Sequence, residues 1–343
     1  MSNGRDTCTV LFTIDTEPDN QWADHRNMRV ENIAHLPRLQ HVFDEIGVTP
    51  TYLLTYAVAD DADAVRTLQT LVRESGCEIG AHMHVWDNPP FLPGGEDRDY
   101  PAFAHDLPVQ LVHDKLAALT ERIAANFDAP RSYRAGKFGY CAEHIRVLEA
   151  LGYVVDTSVT PLIDRRGKEG IPRARGGKGG RDYRLAPLDP YHPDYADDLR
   201  PGSARLLEVP LTVAPSRCSC GPLLAVHRRG PELVNRVLRK LKISQVVSAS
   251  PVQYGVEALE AMLASAWSAG RRVFNFTFHS SEVMPGGSPS IRTEAQLEEL
   301  FRRIRASVAW LRTRGEVRSM GISEFAAGFD GTRSAALAGE LCP

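Results

Sequence analysis

Two short stretches carry the residue types that metal-assisted hydrolysis needs. In Thr13-Ile14-Asp15-Thr16-Glu17 the acids Asp15 and Glu17 stand two apart. On extended backbone alternate side chains share a face, so both carboxylates address one space. One can ligate a cation while the other takes a proton. Asp19, just before Asn20, reads equally well as a turn or cap acid. In Gly80-Ala81-His82-Met83-His84-Val85-Trp86 the two histidines repeat that spacing. Two neutral imidazoles and a carboxylate suit Zn²⁺ or a related divalent ion, with positions left open for water. Paired histidines also have structural roles; the company of Asp15 and Glu17 favours the metal. Three further stretches add to these. Arg134-Ala135-Gly136-Lys137-Phe138-Gly139-Tyr140 supplies an arginine that would hold a nearby carboxylate ionised and oriented. Gly152-Tyr153-Val154-Val155-Asp156-Thr157-Ser158 supplies a remote acid, Asp156. Phe278-His279-Ser280-Ser281-Glu282 supplies His279, a structural histidine by itself and a general acid when an acid such as Asp156 is its partner.

The elements that must position these residues alternate along the chain. Thr9–Asp15 is a short apolar run ending in polar residues, as a buried parallel strand would be. Leu36, Leu39, Phe43 and Ile46 repeat at helical spacing. Thr51–Thr55 reads as strand, Ala62–Glu74 as a helix stopped by Gly76, and Cys77–His82 as a third strand. Leu116, Leu119, Ile123 and Phe127 mark another helix. Tyr133–Arg134 and Gly152–Asp156 look like strand ends. Arg272–His279 is a late strand, followed by an amphipathic helix through Leu297, Leu300, Phe301, Ile304, Val308 and Leu311. Repeated strand-then-helix units imply a parallel sheet, open or closed into a barrel. Asp15, His82, Arg134, Asp156 and His279 all fall at strand ends, where parallel α/β folds place their sites.

Composition narrows the field. The chain has 343 residues, 40 basic and 43 acidic, for a net charge of −3. A protein that coats polyanions is far more basic, so nucleic acid is not an expected partner. No apolar run is long enough for an integral membrane segment. The first residues lack a basic stretch followed by an apolar run, so a cytoplasmic setting is expected. Six scattered cysteines read as reduced usage, and the pair Cys218 and Cys220, without a second pair, as structural or surface residues. Residues 163–203 hold 12 Gly or Pro in 41 positions, marking a long loop or inserted subdomain within one domain spanning 1–343. Its stretch 164–184 carries eight basic and three acidic residues and is either solvated surface or a contact for a substrate phosphate.

The five motif blocks, in this order over residues 13–282, resemble the polysaccharide deacetylase family (carbohydrate esterase family 4, with the NodB homology domain), and within it the WalW-like branch. The resemblance covers about the first 285 residues. It implies an α/β fold, a distorted (β/α) barrel of about seven parallel strands, and removal of N-acetyl groups from amino sugars with one divalent ion, expected to be Zn²⁺. By position, Asp15 matches the family's catalytic base and Arg134 the arginine that supports it. His279 matches the acid for the leaving amine, and Asp156 the acid that tunes that histidine. His82 matches the first metal histidine. Where many members carry a metal-binding aspartate this chain has Thr16, and where they carry the second histidine it has Trp86. Glu17 and His84 are the candidate replacements. Trp86, Lys137, Tyr140, Ser280 and Glu282 are candidates to meet substrate. The expected activity is hydrolysis of a carbon–nitrogen bond in an N-acetylated or N-formylated amino sugar that is nucleotide-linked, lipid-linked or part of secondary metabolism. The altered first and second motifs leave a metal-independent amidase acting on a cyclic ureide as an alternative. A non-catalytic carbohydrate-binding module is a third reading, against which the retention of both a base and an acid argues.

Overall fold

The computed structural model describes residues 6–21, 28–91, 103–167, 179–217 and 221–330. In chain order its strands and helices are β1 (Thr7–Thr16), α1 (Leu36–Glu45), β2 (Thr51–Leu54), α2 (Tyr56–Asp60), α3 (Ala62–Ser75), β3 (Glu78–Met83), α4 (Val109–Ala124), β4 (Ser132–Ala135), α5 (Ala142–Ala150) and β5 (Val155–Asp156). Then come β6 (Leu207–Glu208), β7 (Val213–Pro215), α6 (Gly221–Arg229), α7 (Glu232–Lys240), β8 (Val246–Ser248), α8 (Val256–Ser268), β9 (Val273–His279), α9 (Glu294–Arg312), β10 (Glu316–Ser319) and α10 (Ile322–Ala327). α3 starts where Asp61 accepts from the N–H groups of Asp63 and Ala64, and it stops at Gly76, whose left-handed φ of 66° a side chain would resist.

The main sheet has eight strands, and every described pairing within it is parallel. β1 lies at its centre of pairing. One edge is shared lengthwise: Thr7–Val10 pair with β10 and Thr13–Thr16 with β2. The other edge pairs with β9. From β2 the order continues through β3, β4 and β5 to β6. Past β6 the chain curls back to β9, where the Thr212 N–H donates to the Asn275 carbonyl at 3.0 Å. The result is a distorted (β/α) barrel, with β10 as a partial eighth strand beyond the expected seven.

Alternation along β1 sorts its side chains. Phe12 stacks on Phe276 of β9 at 4.7 Å and tilts against Phe43 of α1 at 5.0 Å, within the apolar layer between sheet and helices. Thr13 and Asp15, on the other face, bind Arg134 of β4. Register completes the placement. Asp15 is the β-partner of His279, and His82 of Arg134, so residues far apart in sequence reach one end of the barrel together. The described parts of the 163–203 segment contain no helix or longer strand, only isolated bridges such as Asp164 with Asp182. The Tyr183 hydroxyl ties this segment to the barrel by donating to the Phe138 carbonyl at 2.5 Å.

Candidate active site

Asp15 ends β1 almost fully buried, and Arg134 explains how a charge survives there. The Arg134 guanidinium is itself fully buried and crosses the barrel interior from β4. Its Nη1 donates to Asp15 Oδ1 at 2.5 Å and to Thr277 Oγ1 at 2.9 Å, its Nε to the Thr157 carbonyl at 3.0 Å, and its Nη2 to Thr13 Oγ1. Burial alone would raise the Asp15 pKa; Arg134, His82 and His279 together hold it below the usual carboxylate value. Glu17 follows the same logic. Burial pushes it up, but His279, His82 and His84 carry it well down.

Glu17, His82 and His84 form the one buried cluster among the described residues whose ligand atoms all lie within 4.8 Å of one another. His84 Nε2 stands 3.2 Å from Glu17 Oε2 and 2.9 Å from His82 Nε2, while His82 Nε2 is 3.7 Å from Glu17 Oε2. His82 Nδ1 lies 3.0 Å from the Arg134 carbonyl, a partner that can only accept. The proton therefore belongs on Nδ1, and the Nε2 lone pair faces the cluster, as in histidines that bind metals. His84 Nδ1 faces Asp87 Oδ2 at 3.6 Å. Burial lowers the His84 pKa, but Asp87 and Glu17 outweigh it and lift it to about 9. The pocket thus favours positive charge, and its N, N, O donor set fits a divalent ion such as Zn²⁺.

His279 ends β9 with Nε2 4.0 Å from Asp15 Oδ2. Its Nδ1 lies 3.2 Å from Glu282 Oε2, which also accepts the His279 backbone N–H at 2.9 Å. Burial lowers the imidazole pKa, but Glu17, Glu282 and Asp15 raise it to about 10, so it is a cation at neutral pH. The resemblance implies Asp156 as the acid that tunes this histidine; the geometry puts another acid at its Nδ1. The carboxylate at His279 is Glu282, one 3₁₀ turn further on. Asp156 instead accepts from the Ser158 hydroxyl at 2.7 Å and pairs with Glu208 on the neighbouring strand.

The five expected substrate contacts also sort differently. Glu282 is taken up by His279. Ser280 is buried, and its Oγ accepts the Glu17 N–H at 3.0 Å, holding the chain that carries the ligand. Trp86 is buried, stacks on His84 at 4.2 Å and donates from Nε1 to Gln21 Oε1 at 3.3 Å. Tyr140 is fully buried, with His144 against its ring and Arg181 bonded to its carbonyl. Lys137 alone keeps a half-exposed place, its Nζ 4.3 Å from the Trp86 ring centre. Burial brings its pKa down to about 7 despite Glu17. Lys137 and Phe138 have left-handed φ of 53° and 59°, a strained turn that delivers the ammonium to Trp86. Gly136 permits this close passage: a Cβ there would lie 2.7 Å from His84 Cδ2.

Sequence reasoning missed Asp87 and the threonines at 13, 157 and 277. Asp87 carries a local signal, standing three after His84 as Glu282 stands three after His279. Asp19 accepts the backbone N–H groups of Glu31 and Asn32, which is the cap-like role weighed for it. In the basic stretch Arg166 and Arg184 pair with Asp164 and Asp182, Arg181 pairs with Asp198, and Arg165 stacks on Phe138. Arg173, Arg175, Cys218 and Cys220 lie outside the described residues.

No family model and no curated protein matches this chain. Solved structures do. A protein described as a polysaccharide deacetylase from Mycobacterium smegmatis aligns over 98% of this chain and 93% of its own, at 15% identity and a TM-score of 0.54. A glycoside hydrolase/deacetylase from Parabacteroides distasonis aligns over 94% of this chain and 71% of its own, at 13% identity and a TM-score of 0.60. At this identity the likeness concerns architecture: the chain has the fold of the polysaccharide deacetylases.

Proposed function

We propose that this chain is a single-domain, metal-dependent hydrolase that removes an N-acetyl or N-formyl group from an amino sugar, nucleotide-linked, lipid-linked or of secondary metabolism, in the cytoplasm. The observation that carries the reading is a buried acid held by an arginine and a histidine held by an acid, both beside one donor cluster. Asp15 is held by Arg134, His279 by Glu282, and Glu17, His82 and His84 converge beside both. Those three side chains would hold one divalent ion, proposed as Zn²⁺, which when bound supplies a Lewis acid and an acidified water.

The protein groups do the rest of the chemistry. Asp15, ionised and fixed, takes a proton from the attacking water. His279 enters as a cation and gives its Nε2 proton to the departing amine, without which an amide nitrogen is a very poor leaving group. Glu282 accepts from Nδ1–H, so the proton to be given stays on Nε2. Arg134 keeps Asp15 a base through the low-dielectric interior. Lys137, half-exposed over Trp86, is the side chain this reading assigns to meet substrate.

The test is acetate or formate release from N-acylated amino sugars, free and nucleotide-linked, by enzyme purified without added metal, then chelated, then resupplied with Zn²⁺. Release that disappears on chelation and returns with the ion supports the reading. Release that persists at full rate in metal-free protein overturns its metal-dependent part.

A further inference from the structure

Between β7 and β8 the chain leaves the barrel as a helical hairpin made of α6 and α7, and α7 buries no residue against the described structure. Leu233 is 66% exposed, Val237 46% and Leu241 63%, with Val234 and Ile243 also open. At about 100° per residue, Leu233, Val237, Leu241, Val234 and Leu238 fall within one arc of about 140°. Asn235, Arg239, Glu232, Arg236 and Lys240 take the remaining circumference. α7 ends with Lys242 in a left-handed conformation, φ 54°, and the Ile243 N–H donates to the Leu238 carbonyl at 2.9 Å. That turn brings Ile243 back beside Leu238 and adds it to the apolar side.

Residues 221–243 contain six basic side chains (Arg228, Arg229, Arg236, Arg239, Lys240, Lys242) and one acid, Glu232, in a chain whose net charge is −3. Arg239 and Lys240 in the last turn complement the helix dipole. That accounts for two cations, and Arg228 donates to the Ala186 carbonyl at 3.2 Å; the exposed Arg229 and Lys242 and the apolar arc are left unexplained. Arg236 and Glu232 pair at 3.2 Å across open surface, an interaction of small value.

We propose that this hairpin docks on an anionic phospholipid bilayer, its apolar arc in the head-group boundary and its cations among the phosphates. A short basic helix with complete segregation of apolar and charged residues has the form of an interfacial segment. A second copy fits less well. A nine-residue helix is about 14 Å long and its one face falls short of the roughly 1,000 Å² that a specific interface needs. Pairing like faces would also set the flanking cations against their own counterparts. The hairpin emerges away from the catalytic centre. Arg271, just before β9, donates to the Val213 carbonyl of β7 at 2.9 Å, whereas His279 closes β9 at its far end. Docking therefore leaves the site open to solvent, and the proposal stands independently of the reaction assigned to it.

The experiment is co-sedimentation of the full chain with vesicles of phosphatidylcholine alone and of phosphatidylcholine and phosphatidylglycerol in equal parts. Binding is expected only to the anionic vesicles. Replacing Leu233, Val237 and Leu241 together by Ser should abolish it. Replacing Arg236, Arg239 and Lys240 together by Gln should weaken it on the order of a hundredfold, about fivefold per cation. Both variants alter exposed side chains, so unfolding midpoints should match the parent and serve as the folding control. Equal partition onto neutral vesicles, no binding to either, or undiminished binding by the Ser variant overturns the proposal. So does a parent dimer in sedimentation velocity that the Ser variant converts to monomer, which would give the face to a second copy.

Discussion

Two pairs of buried carboxylates sit at the strand ends of this barrel, with opposite electrostatics. Asp15 and Glu17 close β1; Asp156 and Glu208 close β5 and β6 as direct β-partners. All four are at most 5% exposed, so burial raises the pKa of each. At β1 that push is overcome, because Arg134 touches Asp15 and the three histidines surround Glu17. At β5 and β6 it is not. Asp156 is raised and Glu208 lies well above the usual carboxylate range, with each other and Asp198 as acidic neighbours and Arg134 acting on Asp156 only as a minor influence. The first pair is held towards its ionised form and the second is pushed towards its protonated form. What decides between them is how closely cations approach, and the pair held towards ionisation is the one suited to bind metal or accept a proton.

Breaking the first pair should have the largest effect. Asp15→Asn is expected to lower turnover by about 10²–10⁴-fold, the range for losing a general base. Arg134→Ala should match that loss. It should also lower unfolding stability by about 3–5 kcal/mol in denaturant titration, since it strands a buried carboxylate. An Arg134→Ala enzyme with normal turnover would detach Asp15 from its assigned role.

The contrast sharpens with metal. Glu17→Ala and His82→Ala should each lose stoichiometric divalent ion by elemental analysis, while Glu208→Ala should retain it. Full occupancy in the first two variants would remove them from the ligand set.

A third test follows from proton linkage. The Glu208 carboxyl titrates higher in the folded chain than in the unfolded one, so the native state binds more protons above about pH 4.3. Stability contributed by this group therefore falls as pH rises through and beyond that value. Glu208→Gln, which fixes the protonated shape, should flatten the slope: its unfolding midpoint gains on the parent at pH 8, and the gain shrinks towards pH 5. A gain that grows on acidification would contradict a Glu208 carboxyl raised in the folded chain.

Much of this arrangement is legible in the sequence because the residues concerned interrupt apolar runs. Asp15 after VLFTI and His279 after VFNFTF announce strand ends, and H-x-H beside D-x-E announces one shared face. Strands of two or three residues, such as β6, β7 and β8, are too short for any periodicity to register. β10 carries no such signal either, and its pairing alongside β2 on one strand edge is a tertiary fact. The same limit applies to the expected substrate contacts. Trp86, Tyr140 and Ser280 are residue types common at sugar sites, while ring stacking on His84, full burial and a bond to the Glu17 backbone are set by packing across the barrel.

The smallest expected effect is the most discriminating one, because it separates two acids that sequence spacing could not rank. If Glu282 is the carboxylate that orients His279, Glu282→Gln should cost about 10–100-fold in turnover, as loss of a histidine's supporting carboxylate does at comparable sites. The alkaline limb of its pH–rate profile should also move down, since Glu282 is one of the groups holding the imidazole near 10. Asp156→Asn should do neither. Its side chain can still meet the Ser158 hydroxyl and Glu208. Turnover should stay close to the parent, with the alkaline limb unmoved. A fall in turnover for Asp156→Asn together with a shifted alkaline limb would return the tuning role to Asp156. The same fall with an unshifted limb would mean that Asp156 acts through the packing around Arg134 rather than through His279.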